Sequence, residues 1–118
     1  MEESKIDRVT YAPFILSDEG KYGSLLLSDQ HMVDKFHVFE ELADDGWSGN
    51  GYDWNSIAQV IVSEQLPDLE SQIEFDPEAG MFSARGPHSA VAQLAVAMSS
   101  AFRDDAILRD LLSRAELD

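Results

Sequence analysis

The chain has no cysteine, which excludes a disulfide framework, a thiolate metal site and a thiol nucleophile together. Bases are scarce: eight lysines and arginines stand against 23 aspartates and glutamates, a net charge of −15. So acidic a chain repels nucleic acid and anionic lipid, and neither is expected as a partner. No unbroken apolar run approaches the ~18 residues that cross a bilayer. Residues 1–8 are polar and mostly charged, with no apolar signal region, so the expected location is cytoplasmic. No phosphate-cradling glycine pattern is followed by lysine, and no serine lies in a nucleophile elbow. Carboxylate pairs are too common in this composition to indicate glycosidase-type chemistry. The histidines are scattered at positions 31, 37 and 88. His37, Glu40 and Glu41 have helical spacing, but on a solvated helix such a group reads as surface, so no metal and no cofactor is expected.

What is present is globular. The 118 residues are 44% apolar and 9% aromatic, enough for one domain with a core behind a polar lead-in at 1–9. Residues 10–16 read as a strand with Pro13 at its edge. Asp18, Glu19 and Gly20 turn the chain into a second strand at 22–27, with Leu25 and Leu27 on one face and Tyr22, Ser24 and Leu26 on the other. Ser28 or Asp29 can cap a helix carrying Met32, Phe36 and Phe39, ending near Asp44 or Asp45. A second helix has Asp53 as its cap, buries Trp54, Ile57, Ala58 and Ile61, and stops before Pro67. A second hairpin joins 72–75 to 81–85 through a turn at 76–80. Gly86 and Pro87 then open a helix with the stripe Val91, Leu94, Ala95, Met98 and Phe102. Asp104 or Asp105 starts a last helix that packs through Ile107, Leu108, Leu111 and Leu112. This order predicts an α+β fold: an antiparallel four-stranded sheet with helices mainly on one face, built as a ββα unit used twice.

Residues 46–54, Gly-Trp-Ser-Gly-Asn-Gly-Tyr-Asp-Trp, hold three glycines, both tryptophans and a tyrosine. So many glycines make a shaped loop, and a loop then presents the aromatics. Trp54 heads an apolar stripe and belongs to the core. Trp47 and Tyr52 fit no helical face; exposed aromatics of this kind anchor interfaces, though Trp47 can equally fold back as a lid over its own core. Glu40, Glu41, Asp44 and Asp45 stand just ahead of the loop. Between positions 34 and 78 twelve acids face one base, Lys35, so this third carries −11. General solubility or salt adaptation is one reading of that charge. A basic protein partner is the other.

Gly49-Asn50-Gly51-Tyr52-Asp53-Trp54, followed by Ile73-Glu74-Phe75-Asp76-Pro77-Glu78-Ala79-Gly80-Met81-Phe82, resembles the immunity protein 51 family of bacterial polymorphic toxin systems, over roughly residues 10–115. The resemblance implies a small cytoplasmic protein that binds and neutralises a cognate toxin, with no enzyme activity and no cofactor. The acidic composition suits a basic toxin such as a nuclease, whose own substrate is a polyanion. The expected toxin-binding residues are Trp47, Asn50, Tyr52 and Asp53 in contact, with Glu40, Glu41, Asp44 and Asp45 as rim. An alternative is a small adaptor or small-molecule-binding domain in which the same loop closes over an apolar pocket. A third reading is an acid/base enzyme using Asp53 or Glu41.

Overall fold

The structure, a computed structural model, describes residues 5–116. Its strands form one antiparallel sheet in the order β1-β2-β3-β5-β4, with β1 at Lys5–Asp7, β2 at Ile15–Asp18, β3 at Tyr22–Ser28, β4 at Glu74–Phe75 and β5 at Met81–Pro87. The helices are α1 (Asp29–Met32), α2 (Phe36–Glu40), α3 (Gly51–Gln65), α4 (His88–Arg103) and α5 (Asp105–Leu112). 3₁₀ segments lie at Val33–Lys35, Ala43–Asp45 and, over six residues, Pro67–Gln72. The α+β class is as expected.

The sheet has five strands where four are predicted. The fifth comes from the polar lead-in: β1 pairs with β2 through Lys5↔Asp18, Ile6↔Ser17 and Asp7↔Leu16. An edge strand needs only backbone partners on one side, so it can form without the apolar alternation by which strands are recognised. Residues 1–4 of the lead-in lie outside the described residues. Conversely, the expected strand at 10–16 is mostly turn. The Ala12 amide donates to the Val9 carbonyl at 3.3 Å and the Phe14 amide to that of Tyr11 at 2.9 Å, and the bend delivers Phe14 into the core.

Side-chain alternation along the central pair decides where the helices pack. On β3 and β5 the register Leu25↔Ala84 and Leu27↔Phe82 puts buried residues opposite one another, and α3 and α4 cover that face. Tyr22, Ser24 and Leu26 point the other way, as the period of two requires. A hairpin leads each half of the chain, but β2 and β3 pair over four residues and β4 and β5 over two. The predicted first helix is also broken into α1, a 3₁₀ turn and α2, whereas α4 runs unbroken for 16 residues. A repeated ββα unit is therefore not evident. Among the described residues no helix is long and apolar enough to cross a membrane.

Trp54 is the hub of the core. Its side chain is fully buried, with the Phe39 and Phe102 ring centres each 5.6 Å away and that of Phe14 at 6.1 Å. Its indole Nε1 has no hydrogen-bond partner among the described residues, an unmet donor that ring burial must outweigh. Trp54→Ala is expected to destabilise the fold by ~3–5 kcal/mol, the usual cost of emptying a core aromatic. Trp54→Phe, which also removes the unmet donor, should cost clearly less. Denaturant unfolding of both variants checks this, and equal losses would remove Trp54 from its role as hub.

Candidate functional site

Gly46, at φ +101°, ends the Ala43–Asp45 turn, and Gly49 takes φ +84° just before α3. Both conformations are ones that side-chained residues avoid. Gly49 has a second reason to be glycine, since a Cβ there would lie 2.9 Å from Cδ1 of Phe36 and 3.1 Å from Cδ2 of Phe39. Asn50, not Asp53, caps α3: its side-chain oxygen accepts from the Asp53 amide at 3.0 Å. Asp53 sits in the first turn and reaches back, its Oδ2 accepting from the Ser48 and Gly49 amides at 2.7 Å each and from Ser48 Oγ at 3.3 Å. This is the reciprocal logic of a capping box, and the spacing Asn-x-x-Asp would have signalled it in the sequence.

Among the glycines of the described residues compared in this way, Gly51 makes the tightest approach to other backbone. Its amide donates to the Ala79 carbonyl at 2.9 Å, and a Cβ on it would overlap the carbonyl oxygen of Glu78. The same β4–β5 turn receives the Asp29 amide on the Gly80 carbonyl at 3.0 Å. The two runs of sequence singled out above, 49–54 and 73–82, are thus pressed backbone to backbone.

This geometry sorts the predicted contact residues. Trp47 is 7% exposed and packs on Phe39 with ring centres 6.4 Å apart, so of its two readings the structure favours the lid. Asp53 is buried and Asn50 half-buried, each engaged as described. Tyr52 alone among the four is exposed, at 43%. Glu40, Glu41, Asp44 and Asp45 are all exposed. Glu41 is bound by Arg109, whose Nε and Nη2 donate to it at 2.9 and 2.8 Å, and this hydrogen bonding holds its carboxyl below the usual carboxylate range. Glu40, Asp44 and Asp45 have no ion pair among the described residues.

The Arg109 contact belongs to a clasp that holds α5 down. Asp105 accepts from His37 Nε2 and from Lys35 Nζ, both at 2.8 Å. Arg114 reaches Glu64 at 2.7 Å. These partners are 50 to 70 residues apart, and nothing in the local sequence announces them. Hydrogen bonds from His37 first, and then from Lys35, lower the Asp105 pKa to about 2.

Two outcomes are expected. Because the folded-state pKa of Asp105 is depressed, its contribution to stability is present above the unfolded value near 4 and lost as pH falls towards about 2. The stability gap between parent and Asp105→Asn, followed by unfolding against pH, should hold steady above pH ~4 and close by pH ~2; a gap unchanged across that window would break the assignment. Gly51→Ala should cost ~3 kcal/mol or more, since backbone atoms cannot move aside as a side chain can. Gly20→Ala, at φ +93° with nothing within 4 Å, should cost only the backbone strain, ~1 kcal/mol.

Comparison with curated proteins and with solved structures gives no match. A family model, described as immunity protein 51, matches residues 14–117. That span takes in the Gly49–Trp54 junction, the β4–β5 turn it rests on and the α5 clasp, and the chain belongs to the immunity protein 51 family.

Proposed function

We propose that this chain is a single-domain cytoplasmic immunity protein that binds and neutralises a cognate toxin, with a basic enzyme such as a nuclease as the partner its charge suits best. The observation that carries this reading is the exposure of Tyr52 on a junction held by the Asp53 contacts to the Ser48 and Gly49 amides, with the exposed acids Glu40, Asp44 and Asp45 preceding it in the chain. Glu41 adds to the rim while tied to Arg109. Trp47, Asn50 and Asp53 act from beneath: they set the shape of the surface and do not themselves reach across it. The protein works by occupancy, without turnover, metal or cofactor.

The physical roles divide by rate. Acids at −11 net over the middle third attract a basic surface and speed encounter, while a desolvated tyrosine slows departure. Held backbone means little ordering entropy is lost on binding. The alternative of a loop closing over an apolar ligand pocket has less support, because the space beneath the loop is filled by Trp47, Phe39 and Trp54.

With the toxin identified from an adjoining reading frame, Tyr52→Ala should weaken its binding by ~2 kcal/mol or more without changing the melting temperature. Trp47→Ala should lower the melting temperature and the affinity together. If Tyr52→Ala binds as tightly as the parent, Tyr52 is not the anchor, and the contact moves to the acids around Glu40, Glu41 and Asp44. Raising salt from ~50 to ~500 mM should slow association strongly and leave dissociation nearly unchanged, because it shortens the Debye length several-fold. A salt-independent association rate would return the acids to general solubility.

A further inference from the structure

Among the described residues is a cleft whose lining reverses the charge of the whole molecule. It lies between residues 8–13, the turn at the end of α1 and the last residues of α4, with a volume of about 620 Å³, inside the ~300–1,000 Å³ typical of small-molecule sites. Ala12, Pro13, Ile15 and Phe102 supply its apolar wall. Around them stand Arg8, Lys35, Arg103 and His31, against the single acid Asp34. Three of the eight bases in the chain therefore meet at one place, where acids outnumber bases 23 to eight overall.

The bases here differ in what they are bound to. Lys35 is neutralised by Asp105 at 2.8 Å and lies 5.2 Å from the centre of the Phe102 ring. Arg103 donates through Nε and Nη2 to the Ala12 carbonyl and through Nη2 to that of Thr10, at 3.0 to 3.2 Å. Those acceptors are uncharged, so its cation remains uncompensated and its Nη1 has no partner among the described residues. Arg8 makes no ion pair among them either. The acids close by in sequence are turned to other work. Asp7 accepts from the Val9 and Thr10 amides at 2.9 Å each, and Asp104 from the Ala106 amide at 2.9 Å. The pull of more distant acids decays over about 8 Å at physiological salt.

We propose that this cleft binds a small amphipathic anion, an apolar body ending in a carboxylate, sulfonate or phosphate, with the Arg8 and Arg103 guanidinium groups on the anionic end and Ala12, Pro13 and Ile15 on the body. Arginine's planar fork matches such oxygens in pairs. The site shares no residue with the proposed toxin surface and does not depend on it.

The test is titration of the full chain with anilinonaphthalene sulfonate, read by fluorescence and by backbone amide shifts. Arg8 is used as the probe position because Arg103 also straps the 10–12 turn. Saturable binding at one site is expected, with shifts centred on Ala12, Ile15 and Phe102 and displacement by inorganic phosphate beyond that caused by sodium chloride of equal ionic strength. Arg8→Gln should weaken binding about tenfold or more, the loss of one hydrogen bond to a charged group, at unchanged melting temperature. Asp34→Asn, removing the one acid of the lining, should strengthen it. Absence of saturable binding, shifts centred elsewhere, or both variants binding as the parent does would overturn the proposal.

Discussion

The constraint on which the rest of the molecule depends is the seating of α3 on the β4–β5 turn. With no side chain on Gly51, the first turn of the helix lies directly against the backbone of residues 78–81, and its amide closes on the Ala79 carbonyl. Any Cβ would push the two halves of the chain apart. The start of α1 meets the same turn through Asp29 and Gly80, so one short stretch of backbone fixes both helical segments of the first half. Once α3 is placed, Trp54 falls between Phe14, Phe39 and Phe102, and the core closes around it.

The same seating explains why so glycine-rich a loop is not a loose one. Asn50 meets the Asp53 amide, one of the donors that a helix start otherwise leaves without a partner, and Asp53 meets the Ser48 and Gly49 amides of the chain leading into α3. Trp47 then has nowhere to go but onto Phe39, while Tyr52, one residue past the Gly51 contact, is left outward. On the proposed reading this helps recognition, because little freedom remains to be lost when a partner arrives.

Charge is organised as much as it is abundant. Lys35, Arg109 and Arg114 are each matched to carboxylates that keep α5 against the body; the Arg109 and Arg114 pairs are exposed and orient more than they stabilise, while the Lys35 pair is partly buried. Among the groups they leave without an ion pair in the described residues are the exposed carboxylates of Glu40, Asp44 and Asp45 ahead of α3 and, at the opposite sign, Arg8 and Arg103. In a molecule of net charge −15, that second location is as much a departure from the average as the first is an extreme of it.

Much was legible in the residues alone. The α+β class, the two hairpins, the stripe of α4 and the burial of Trp54 follow from periodicities of two and 3.6, which depend on near neighbours and need no knowledge of the fold. The Asn-x-x-Asp cap was equally local, although Asp53 alone first reads as the cap. Motif composition was enough to point to the family. The tertiary structure decided the remainder, because it turns on groups far apart in the chain. Lys5–Asp7 becomes a strand only because the edge of β2 offers it partners, and Trp47 becomes a lid only because Phe39 lies beneath it. Arg109 finds Glu41 across 68 residues. Whether an aromatic in a glycine-rich run faces solvent or core is set by what the folded chain places under it, and no local pattern encodes that.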